Sequence, residues 1–185
     1  ELIEITQGFE GCCFADGVAI NVAFSPDSQQ LAYRFKETVR IMDTSSQNVV
    51  DEYKNEGPFV TISFSPNGRL LALGGTSNKL SFYDLAMIAF YAQLSLDPST
   101  YPGEKDYGYK QVIEPKWSPD GGKHIVARWN NKARIFNVGE IIELQQEFTH
   151  KTKEPGISPN ESVWDIAFSP NGNYLAIGFG KKEIQ

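Results

Sequence analysis

Apolar and polar residues alternate in short runs along most of this chain. Ile20, Val22 and Phe24 stand two apart, as do Val60, Ile62 and Phe64, and Trp164, Ile166 and Phe168; Ile113, Pro115 and Trp117 keep the same spacing. A period of two marks a strand with one buried face. Each run ends on an aromatic residue followed by Ser-Pro, then Asp or Asn, then Gly (Ser in the first copy), at residues 24–28, 64–68, 117–121 and 168–172. Proline presets φ for the first central position of a type I turn, Asp or Asn suits the second, and Gly takes the left-handed residue that follows. The four copies therefore predict tight turns, each leaving one strand and entering another.

The flanks repeat as well. A second strand opens at Leu31-Ala32, Leu71-Ala72, Ile125-Val126 and Leu175-Ala176. A third ends in an apolar residue and Asp or Asn, at Met42-Asp43, Tyr83-Asp84 and Phe136-Asn137, and a fourth apolar run follows each. The pattern predicts four-stranded units in tandem at about 19–54, 59–96, 112–148 and 163–185. The aromatic anchors stand 40, 53 and 51 residues apart, so two connections, 97–110 and 149–162, read as insertions. The anchors Phe24, Phe64, Trp117 and Phe168 are expected in the core.

The repeated turn and the third-strand slot resemble the WD-repeat (WD40) family of β-propellers over nearly the whole chain. The slot never holds Trp-Asp; the literal Trp164-Asp165 lies in a first strand, and no Gly-His pair opens a repeat. Four copies in register carry the likeness. It implies an all-β fold of four-stranded antiparallel blades, either part of a larger propeller or a four-bladed ring that Leu2 to Thr6 would complete. The third-strand slot of the last unit would fall just past Gln185, which favours a portion of a longer chain.

Net charge is −6 and the isoelectric point near 5.0. An acidic balance disfavours nucleic acid as a partner, and no run of about 20 apolar residues predicts membrane insertion. Adjacent Cys12 and Cys13 make a strained disulfide pair; read as free thiols they point to a reducing, cytoplasmic setting. Gly74-Gly75-Thr76-Ser77 falls where a turn is due, and the sequence shows no nucleophile elbow or phosphate loop. With two histidines in unrelated places, neither a catalytic set nor a metal or cofactor site is expected.

What the resemblance implies is a non-catalytic scaffold that binds a protein or peptide, often as the sensor or adaptor part of a larger protein. In the family, the turns between second and third strands and the connections between units share one face. That face would carry Arg34, Phe35 and Lys36, Trp129 and Asn131, and the insertion residues Tyr101, Tyr107 and Tyr109. Large aromatics and Arg are common interface anchors; for Trp129 the competing role is packing between blades. An incomplete ring would also favour self-association. The alternative reading is the propeller domain of a serine peptidase or a TolB-like periplasmic binding protein, which share the Ser-Pro-Asp-Gly turn.

Overall fold

A computed structural model describes residues 21–35, 38–54, 59–75, 79–95, 114–121, 124–129, 132–149 and 163–179. These form three four-stranded antiparallel sheets and one two-stranded sheet, with no helix among the described residues. The first sheet holds β1 (Val22–Phe24), β2 (Gln30–Phe35), β3 (Thr38–Asp43) and β4 (Val49–Lys54). The second holds β5 (Phe59–Phe64), β6 (Leu70–Gly75), β7 (Lys79–Asp84) and β8 (Ala89–Ser95). The third holds β9 (Glu114–Trp117), β10 (His124–Trp129), β11 (Lys132–Val138) and β12 (Ile142–Thr149), and β13 (Val163–Phe168) pairs with β14 (Leu175–Phe179). Strand order follows chain order in every sheet, which is the blade of a WD-repeat propeller.

The Ser-Pro turns explain why these strands reverse where they do. In the second copy the Gly68 amide donates to the Ser65 carbonyl at 2.8 Å, and the Ser65 amide to the Leu70 carbonyl at 2.8 Å. The Ser65 hydroxyl donates to Asn67 Oδ1 at 2.7 Å and accepts from the Leu70 amide at 2.9 Å, while Asn67 Oδ1 accepts from the Arg69 amide at 3.0 Å. The first and fourth copies repeat this set through Ser25 and Asp27, and Ser169 and Asn171. In the third copy Ser118 likewise donates to Asp120. Gly68, Gly121 and Gly172 have φ of 72°, 91° and 73°. Ser28 takes the same place at 61°, where a Cβ is disfavoured.

The sheets stack face to face. Between the first and second lie Ala32, Val39, Ile41 and Tyr53 against Ile62, Phe64, Leu71, Leu73 and Tyr83. Between the second and third lie Ala72, Leu80 and Phe82 against Trp117, Ile125 and Phe136. Ala133, with half-buried Ile135 and Phe148, meets Val163 and Ile166 of the last sheet. Hydrogen bonds cross each of the first two seams. Tyr83 Oη donates to the Lys54 carbonyl at 2.7 Å, and Trp117 Nε1 to the Ser63 carbonyl at 3.1 Å. Asn21 Oδ1 accepts from the Ile62 amide at 3.1 Å.

One anchor departs from the expectation of a core position. Phe64 and Trp117 are 8% and 9% exposed, but Phe24 is 54% exposed. The reason is stacking order. Phe64 and Trp117 each point at the sheet before their own, and among the described residues no sheet precedes the first. Phe168 is half-buried against the third sheet.

Two stability outcomes follow. Trp117→Ala removes an indole packed edge-on to Phe82, with centroids 6.0 Å apart, together with a hydrogen bond between sheets; it should cost about 3–5 kcal/mol in urea unfolding. Ser28→Gly relieves the left-handed strain, and chemical denaturation should show a gain of up to about 1 kcal/mol, since glycine's extra chain entropy offsets part of the relief.

Candidate functional site

The meander topology sends the chain's turns to two ends. The β1–β2 and β3–β4 turns, with their counterparts, lie at one end of each sheet. The β2–β3 turns and the connections between sheets lie at the other, the loop end.

At the Ser-Pro end the polar residues hold turns together. Asp43 closes the β3–β4 turn: its Oδ1 accepts from the Ser45 and Ser46 amides at 3.1 and 2.7 Å and from the Ser46 hydroxyl at 2.9 Å. These Ser46 bonds hold the Asp43 carboxyl below its ordinary range. Asp84 does the same through the Ala86 and Met87 amides at 3.0 and 3.1 Å, and also receives Arg69 Nε and Nη2 on Oδ2, both at 2.9 Å. Burial alone would raise the Asp84 pKa; the Arg69 guanidinium and the two amides outweigh it and bring it below the usual value. The carbonyls of Gln29 and Arg69 accept from the Thr44 and Leu85 amides, tying the two turns of a sheet to each other. The third-strand slot is therefore a turn cap in both sheets where it holds Asp.

A cavity of about 520 Å³ opens at this same end, between the second, third and last sheets. Its walls include Phe64, Pro66, Lys116, Trp117, Asp165 and Pro170. Sequence reasoning directed at the loop end missed it. The one local signal is the turn proline, since Pro66, Pro119 and Pro170 stand at the same offset from their anchors and all line the cavity.

At the loop end, the structure places two of the expected residues on one sheet. Arg34 and Phe35 end β2, and Thr38 Oγ1 donates to the Phe35 carbonyl at 2.8 Å, closing the hairpin. Strand alternation sends them to opposite faces. Arg34 pairs with Val39, a residue of the seam with the second sheet. Phe35 joins Leu31, Tyr33 and Met42 on the outward face. There the Arg40 guanidinium lies 3.4 Å from the Phe35 ring centroid and its Nε donates to Glu52 Oε2 at 2.6 Å. The carboxylate bond raises the Arg40 pKa. Trp129 ends β10, opposite Lys132 across the hairpin, so its backbone occupies the position that Phe35 holds in the first sheet. Lys36, Tyr101, Tyr107, Tyr109 and Asn131 lie outside the described residues, as do Cys12, Cys13 and Leu2 to Thr6.

The polar pair in the middle of the third and fourth strands also recurs. Arg40 and Glu52 in the first sheet correspond to Ser81 and Gln93 in the second, where Gln93 Nε2 donates to Ser81 Oγ at 2.9 Å. In the third they correspond to Arg134 and Glu147, with Arg134 Nε to Glu147 Oε2 at 2.8 Å. Lys132 Nζ donates to the other oxygen of Glu147 at 2.8 Å. Burial would raise the Glu147 pKa, but the two cations carry it below the ordinary range. Among the described residues, no three His, Cys, Asp or Glu side chains stand close enough to hold a metal ion. No helix among them is long and apolar enough to cross a membrane.

Comparison with known proteins agrees with this architecture. Residues 152–182 match the family model of the WD domain, G-beta repeat. That stretch spans the last Ser-Pro turn. The chain is also similar to Minichromosome loss protein 1 of Schizosaccharomyces pombe, 24% identical over 166 residues. The match takes in 89% of this chain and spans 19% of that relative's length. With the stacked sheets and the repeated turns, the matched repeat and this relative support membership of the WD-repeat family.

The capped carboxylates predict an acid response. Asp84 has a lowered pKa in the fold, so its stabilising effect is complete above the ordinary carboxylate value, near 4, and is lost as pH falls through the lowered one. Asp84→Asn should melt at a lower temperature than the parent at neutral pH. Between about pH 5 and 2 it should lose less of its remaining stability, as followed by circular dichroism.

Proposed function

We propose that this chain is a non-catalytic WD-repeat scaffold that mediates protein–protein interaction through its loop end, as part of a larger protein or complex. WD-repeat folds generally serve as interaction scaffolds, and the fold alone does not choose the partner. The observation that carries the reading is the repeated four-stranded architecture itself, with the matched repeat at residues 152–182. The chemistry of the repeats supports the same reading, because Asp27, Asp43, Asp84 and Asn67 serve backbone amides in turns and so act as structural groups.

At the loop end, Arg34, Phe35, Lys36, Trp129 and Asn131 are the proposed contacts, with Tyr101, Tyr107 and Tyr109 of the connecting segment. A rigid stack of sheets holds Arg34 and Phe35 in fixed relation before a partner arrives, which lowers the ordering cost of binding. The partner is a protein or peptide, and the proposed setting is cytoplasmic.

Affinity capture with the parent and with Arg34→Ala, Trp129→Ala and Tyr107→Ala tests the assignment. Each loop-end change should weaken capture of the principal partner by about tenfold or more, the loss of one anchor. Tyr174→Ala, at the Ser-Pro end, should leave capture intact. Full capture by all three folded loop-end variants refutes the loop end as the contact face.

A further inference from the structure

The outer edges of the three complete sheets are not alike. Each ends in a fourth strand whose far side no other strand pairs among the described residues. Exposed edges invite pairing with another chain, and proteins discourage this with charge, proline or bulges. All three fourth strands carry a bulge at the same place, opposite Ile41/Met42, Phe82/Tyr83 and Ile135/Phe136. Charge is where they part. β4 carries Asp51, Glu52 and Lys54, and β12 carries Glu143 and Glu147. β8 reads Ala-Phe-Tyr-Ala-Gln-Leu-Ser and carries none. From Leu85 through Leu96 no residue is charged and none is proline.

The turn entering β8 departs from its counterparts in the same direction. The β3–β4 turn exposes Ser45, Ser46 and Gln47, and the β11–β12 turn places Gly139 and Glu140 before Ile141. The β7–β8 turn instead presents two apolar side chains, Met87 and Ile88, both exposed, followed by Phe90 at 56% exposed, where the β11–β12 turn exposes Ile141 alone and exposed Val49 and Val50 open β4. Ile88 has φ of 52°, the left-handed conformation that a β-branched residue resists. Gln47 takes that conformation in the first sheet, where a polar side chain faces water. An apolar side chain is thus held open at a strained position, beside an edge with no electrostatic guard.

We infer that the β8 edge is a self-association surface, on which a second copy of this chain pairs its own β8 antiparallel across a two-fold axis. A two-fold contact sets each residue against the same strand of the partner, so a net charge on the strand would oppose itself. Paired with its own copy, β4 would bring Asp51 and Glu52 toward the same acids, and β12 would do so with Glu143 and Glu147. β8 meets no such repulsion. Pairing joins the two strands edge to edge, and Met87, Ile88 and Phe90 of each copy lose water beside the joined strands. This surface runs along the rim, with Met87, Ile88 and Phe90 toward the Ser-Pro end, and stands independently of the loop-end reading.

Sedimentation velocity over a concentration series, with amide hydrogen exchange at low and high concentration, tests the inference. The expected result is a monomer–dimer equilibrium in which exchange within residues 89–95 slows as the dimer forms. Phe90→Lys should raise the dimer Kd by about tenfold or more, since like charges across an interface are strongly unfavourable. Tyr174→Lys, an equal charge placed on an exposed turn of the last sheet, should leave Kd unchanged. If Phe90→Lys fails to fold by circular dichroism, Ala89→Lys makes the same test from an exposed position. A chain that stays monomeric at every concentration overturns the inference. So does a dimer whose protection falls on the Val22 and Phe24 face and spares β8.

Discussion

The Ser hydroxyl of each Ser-Pro turn is the contact on which the rest of the structure depends. It donates to the Asp or Asn two residues on and, in three copies, accepts from the amide that opens the next strand. One side chain thereby fixes both the turn and the first pair of the following hairpin. Register in an antiparallel pair is unforgiving, because a slip of one residue sends every side chain to the wrong face. With the register held, Leu31 and Ala32, or Leu71 and Ala72, are delivered to opposite faces of their sheets. The seams on either face of a sheet can then close.

The first two seams share one composition. Small residues of a second strand, Ala32 and Ala72, are fully buried and let the next sheet approach closely. The approaching face brings an aromatic or large aliphatic anchor, Phe64 or Trp117, and one hydrogen bond from a ring into the neighbour's backbone. Tyr83 reaches Lys54 across the first seam, and Trp117 reaches Ser63 across the second. Tyr53, whose phenol is buried and bonded to Asp51 Oδ2 at 2.7 Å, completes the first seam beside Tyr83 at 4.7 Å between centroids. Burial holds its hydroxyl protonated well above the ordinary tyrosine range.

Much of this was legible in the sequence because turn chemistry and period-two alternation are local signals. The strands, the four turns, the Asp caps at the ends of β3 and β7, and the membership of each sheet all follow from residues within one repeat. What was not legible depends on what stands opposite. Phe24 carries the same local signal as Phe64, yet its burial is set by a neighbour that no local pattern encodes. Arg34 and Phe35 are adjacent in sequence, and only the pairing of β2 shows that they serve different faces. The cavity near Lys116 and Asp165 arises where three turns meet, so it belongs to no single repeat. The unguarded β8 edge was readable as an uncharged run, but its importance came from finding that strand outermost.

The order of strands within each sheet has a kinetic consequence. Every sheet is closed by consecutive hairpins, and the core seams among the described residues join sheets that are neighbours in sequence. The search for native contacts is therefore short-ranged at each stage, unlike that of sandwiches whose partner strands lie far apart along the chain. Such an array behaves nearly as a one-dimensional chain of coupled units. A nucleus formed in any one sheet can template the next, and damage to one Ser-Pro turn propagates no faster than one seam at a time. Loss of order should accordingly spread from the least covered units, leaving the second and third sheets, each packed on both faces, as the last to let go.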